Sequence, residues 1–211
     1  MGLIKDISSP TTTDDSAELN YFFDILDHFI EKISSDASLE KSLTLIARSP
    51  EANIAKACIQ CREKLALANI ELKVIFAQIT PSEYLSEWLD PETSPCGPTP
   101  ENNLRWGNRH NLVDAHEQLT LNSQCSWSGE SMRREVSSRF GFYIFDEECK
   151  QAAIRGERAF NALWQICDKI PQVHIKRAKQ SSEQSFLGAH SKSASYPQNE
   201  VNYLASEFTR H

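Results

Sequence analysis

Residues 42–77 read SLTLIARSPEANIAKACIQCREKLALANIELKVIFA, and the change of hydrophobic period along them decides the fold. SLTLIA at 42–47 is short, apolar and β-prone. Ser49-Pro50-Glu51 then supplies a cap residue, a proline at the first helical position and an acid in the first turn. The helix predicted over 51–68 aligns Ile54, Ala57, Cys58, Cys61, Leu65 and Ala68 along one side. Asn69 ends it, and IELKVIFA at 70–77 is a second β-prone run. Strand, helix and strand in this order predict two parallel strands joined by a right-handed crossover.

Working outward, the upstream residues Leu19, Phe22, Phe23, Leu26, Phe29, Ile30 and Ile33 recur every three or four positions behind an Asp15-to-Glu18 capping box. They predict an N-terminal amphipathic helix over 15–36, whose aromatic stripe reads as core rather than as a docking face. Residues 1–14 show no periodicity and read as a disordered tail. Downstream, Thr80-Pro81-Ser82-Glu83 opens a short helix through Trp88 and Leu89, and 90–103, with four prolines and one glycine, reads as a connecting loop. Short strands are expected at 110–115 and 118–122, a Ser/Gly-rich loop to 138, and a strand at 140–145. Asp146 would cap a helix of about twenty residues, with Ala153, Ala159, Phe160, Leu163, Trp164 and Cys167 available for burial and Gly156 as its weak point. The expected organisation is a tail at 1–14, a helix at 15–36, an α/β domain at 37–175 and a mostly disordered tail at 176–211.

Composition narrows the function classes. With 40% hydrophobic and 24% charged residues the chain should fold rather than stay disordered. A net charge of -7 argues against a surface built wholly to hold a nucleic-acid backbone, though a local basic cleft survives that objection. The start has neither a basic nor an apolar signal region, and no apolar run reaches membrane-spanning length, so the cytoplasm is expected and membrane insertion is not. The six cysteines then read as free thiols. Cys58-x-x-Cys61 lies in a helix with no second close pair, so buried packing is preferred to a zinc site. Phosphate-loop, dinucleotide, serine-hydrolase and zincin motifs are absent from the sequence.

The chemistry-rich stretch is 104–134, LRWGNRHNLVDAHEQLTLNSQCSWSGESMRR, lying between predicted strands where sites are usually built. With its flanks it resembles one half of a phospholipase D-superfamily domain, in which a strand bearing H-x-K-x4-D leads through a second strand to G-S-x-N, then to a loop with Ser and Arg, a strand and a helix. On that resemblance His110 falls on the nucleophilic histidine, Leu112 on the phosphate-holding lysine and Glu117 on the acid, with Asp114 a competing acid if the register is shifted. Asn122-Ser123-Gln124-Cys125 lies on G-S-x-N, so Ser123 keeps the hydroxyl and Cys125 replaces the asparagine. Residues 128–134 and 140–146 fit the downstream loop and strand. His116 reads as structural or solvent-facing.

The resemblance implies a phospholipase D-like mixed sheet flanked by helices, and His110, Glu117 and Ser123 as catalytic residues. A neutral histidine attacking phosphorus needs an acid to hold its tautomer and cations to neutralise the equatorial oxygens. Arg109, Arg133 and Arg134 are the candidates to replace the missing lysine, since arginine suits bidentate phosphate contacts. The implied function is a degenerate phosphodiesterase working through a phosphohistidine, with nucleic acid among its candidate substrates. The alternative is a catalytically inactive binding or assembly module in a protein complex. The family pairs two motif copies and this chain shows one, so a homodimer is expected; no cofactor or metal is implied.

Overall fold

The computed structural model describes residues 15–36, 38–79, 83–107, 112, 115–131, 144–146 and 149–171. Its α1 (Asp15–Ser35) is the expected amphipathic helix. β1 (Ser42–Ala47) and β2 (Glu71–Phe76) are parallel neighbours in the register Ser42 to Glu71 through Ala47 to Phe76. The crossover between them is α2 (Asn53–Gln60) followed by α3 (Arg62–Leu67), where a single helix was expected. Asn69, at φ 56°, takes the left-handed conformation that reverses the chain into β2.

After α4 (Glu83–Leu89), the proline-rich stretch holds a short helix, α5 (Pro100–Asn103), and runs into β3 (Leu104–Trp106), which the sequence reading assigned to no strand. β3 pairs parallel with β2 and continues its surface. The strand expected at 118–122 is β4 (His116–Leu121), antiparallel to β1; most of the one expected at 110–115 lies outside the described residues. The Ser/Gly-rich segment read as loop supplies β5 (Cys125–Ser131), antiparallel to β4. β6 (Ile144–Asp146) overlaps the end of the strand expected at 140–145; residues 140–143 lie outside the described residues. Asp146 ends this strand rather than capping a helix; α6 (Lys150–Ile166) starts after Cys149. The two-residue β7 (Asp168–Lys169) closes the order β6-β5-β4-β1-β2-β3-β7.

The result is a mixed α/β sheet flanked by helices on both faces, with the N-terminal helix in place. Leu43, Leu45, Ala47, Leu72, Val74, Phe76, Leu119, Leu121 and Trp127 alternate onto one face and share a core with α1, α2 and α4. Phe22 of α1 meets Trp127 edge-on at 4.9 Å between centroids, and Phe76 meets Trp88 of α4 at 5.2 Å. On the other face Ile46, Ile75, Leu112 and Phe160 form a smaller cluster beneath α6. Cys58, Cys61 and Cys96 are buried free thiols; burial pushes all three up, Cys61 to about 11, so they behave as small apolar groups. No described helix is long and apolar enough to cross a membrane.

Candidate active site at the carboxyl edge of the sheet

β1, β2 and β3 run parallel and therefore end at one edge of the sheet. β4, antiparallel to β1, starts at that edge, and β5 returns to it. Backbone bonds carry the parallel part slightly further: Ala77 N–H donates to Ala47 O (3.0 Å), Gln78 N–H to Arg48 O (2.8 Å) and Gly107 N–H to Phe76 O (2.8 Å). Open α/β sheets place ligands in the crevice outside the carboxyl ends of their strands.

His116 opens β4 at this edge and is exposed. Opposite it the ladder slips: His116 pairs with Ser131 but Gln118 pairs with Ser128, so β5 carries one residue more than β4 across that interval. Such bulges re-aim side chains and backbone groups. Here the bulge brings Gly129 O to 3.0 Å from His116 Nδ1. A carbonyl oxygen only accepts, so Nδ1 carries the proton, and a neutral ring keeps its lone pair on Nε2. A Cβ at Gly129 would overlap the Trp127 ring, so any substitution there must displace that ring.

Glu117, expected to orient a catalytic histidine, accepts a backbone hydrogen bond from the end of the central strand. Residues 42 through 46 of β1 face 122 through 118 in a constant register, with Asn122 N–H donating to Ser42 O (2.9 Å). Two residues on, where a regular ladder would pair Arg48 with His116, the Arg48 N–H donates to Glu117 Oε1 (3.0 Å). The carboxylate thus fixes the end of the central strand, while a backbone carbonyl fixes His116. Gln118, two positions after His116 and on the same face, donates from Nε2 to Thr120 Oγ1 (2.8 Å). A Cβ at Gly156 would overlap that amide nitrogen, so Gln118 fills the seam between β4 and α6.

Leu112, matched to a phosphate-holding lysine, is 2% exposed in the cluster beneath α6. It anchors the β3–β4 connection by packing onto Gly107, where any Cβ would collide with it. Ser123 sits in the turn between β4 and β5, at the far edge of the sheet from Glu117 and His116. Its neighbour Asn122 has φ 51° and accepts a bond from Gln124 N–H at 2.8 Å, a local turn that gives 122–125 a hairpin role. His110, Arg109, Asp114, Arg133 and Arg134 lie outside the described residues. His116, which the sequence reads as structural or solvent-facing, is exposed with its Nδ1 on a backbone carbonyl; Arg48 carries no motif, and only the end of β1 places it at this edge. Among the described residues no group of three or more His, Cys, Asp and Glu is arranged to hold a metal.

No family model matches the chain, and no curated protein matches it. Among solved structures it is similar to NucT from Helicobacter pylori, at 11% identity and a TM-score of 0.45, over 72% of this chain and 94% of that one.

Proposed function

We propose that the carboxyl edge of the sheet handles a phosphodiester, as a degenerate phospholipase D-like phosphodiesterase in which His116 is the imidazole that meets phosphorus. The observation that carries this reading is the His116 Nδ1 to Gly129 O hydrogen bond, which leaves Nε2 as the nucleophilic nitrogen. Counted from His116 rather than His110, the H-x-K-x4-D spacing falls on His116 and Gln118 of β4 and on Ser123 in the turn that follows it. Nε2 would form a bond to phosphorus as the bond to the leaving oxygen breaks and that oxygen takes up a proton; water then cleaves the phosphohistidine. Arg109, Arg133 and Arg134 belong to the segments leaving β3 and β5 and are candidates for the substrate's negative charge. A second copy of the chain would supply the second histidine, as the general acid.

The test compares wild type, His116→Ala and His110→Ala on single-stranded DNA, RNA, a chromogenic phosphodiester and phospholipid. His116→Ala should lower turnover by roughly three or more orders of magnitude at unchanged melting temperature, with His110→Ala keeping most activity. The reverse pattern would return the nucleophile to His110. A second reading, the inactive binding module, is favoured by Gln118, which supplies no cation and is committed to the seam with α6. Binding without turnover in the wild type would establish it.

A further inference from the structure

We propose that Arg48 is the residue that holds the phosphate beside His116, an inference that rests on the phosphodiester reading above. Arg48 follows directly on β1, the strand at the middle of the sheet. Ala47 is buried in the larger core, so alternation assigns the next position to the opposite face, the one on which His116, Gln118 and Thr120 follow one another along β4. The β1–β4 ladder ends at Ile46 and Gln118, and its register carried two residues further would set Arg48 across from His116. Paired positions of antiparallel strands lie about 5 Å apart, within reach of a common phosphate for side chains of this length.

The backbone at Arg48 is held from both sides. Its N–H donates to Glu117 Oε1 (3.0 Å) and its carbonyl accepts from Gln78 N–H (2.8 Å). A half-buried arginine on a clamped backbone has less freedom to lose on meeting a ligand than one on a loose loop. Among the described residues that close the strands at this edge, Arg48, Ala77, Gln78, Gly107, His116 and Gly129, it is the sole permanently charged cation. A phosphodiester brings one negative charge, and attack by a neutral imidazole concentrates charge on the equatorial oxygens. A guanidinium fork meets two of those oxygens at once, and Gln118 offers no such group from its place against α6. Glu117 then acts as a positioning residue through the Arg48 backbone.

The experiment measures binding of a single-stranded DNA oligonucleotide, inhibition by inorganic phosphate, and turnover for wild type, Arg48→Ala, Arg48→Lys and His116→Ala, with melting temperatures alongside. Arg48→Ala should weaken oligonucleotide and phosphate binding by about tenfold or more and make the salt dependence of binding shallower by about one ion. Arg48→Lys should recover much of that loss, and added guanidinium ion should restore part of the Arg48→Ala turnover, which a purely structural residue would not show. His116→Ala should keep its affinity. Wild-type affinity, phosphate inhibition and turnover in a folded Arg48→Ala protein, with His116→Ala inactive, would overturn the assignment and leave the phosphodiester reading standing. Absence of both binding and turnover in the wild type would overturn the phosphodiester reading and Arg48's role with it.

Discussion

Gly156 shows how little a residue type says without its neighbours. Inside a helix glycine is about 1 kcal/mol worse than alanine, and from sequence alone it reads as the weak point of α6. In the fold it is buried, and a Cβ would overlap Gln118 Nε2 and come within 2.8 Å of Thr120 Oγ1. Forcing a methyl into such a contact costs about 1–3 kcal/mol, which exceeds the helix gain. Gly156→Ala should therefore destabilise by about 1 kcal/mol, read as a lower urea midpoint at unchanged slope. In a Gln118→Ala background the penalty should shrink, because the nearest obstructing group is gone; an unchanged penalty would place the strain elsewhere.

Elements were legible where period and caps agreed. β1, the crossover and β2 announce themselves because both strands are covered on both faces and their apolar runs are nearly continuous. β5 was hidden because its sequence CSWSGES places only Cys125 and Trp127 toward the large core, with Ser126 between them, so the apolar half of the alternation is short. Its pairing with β4, not its own propensity, makes it a strand. The bulge, which sets the partner of His116, followed from neither. Its consequence is measurable: ring nitrogen NMR should find His116 protonated on Nδ1 in its neutral form. Gly129→Ala, which drives a methyl into the Trp127 ring, should both lower the melting temperature and shift His116 toward the other tautomer. An Nδ1 signal indifferent to that substitution would detach the histidine from the Gly129 carbonyl.

Across the whole molecule, the N-terminal helix is part of the main core. Phe22, Leu26, Phe29, Ile30 and Ile33 are buried with β1, β2, β4 and β5 in one cluster, and Phe22 is only 2% exposed against Trp127. Phe22→Ala should cost about 3–5 kcal/mol, a large part of the stability of a domain this size. A chain lacking residues 1–35 should lose cooperative unfolding by calorimetry; a sharp transition in that truncated protein would show that the sheet stands without α1. The β1–β2 pair was legible because one local unit encodes it, whereas β3 and β4 join that pair from further along the chain. The contact between Gly107 and Leu112 constrains how the chain can evolve. Since any side chain at 107 occupies the volume the leucine now fills, descendants should alter the two positions together or leave both alone, so their covariation would record the anchoring of the β3–β4 connection.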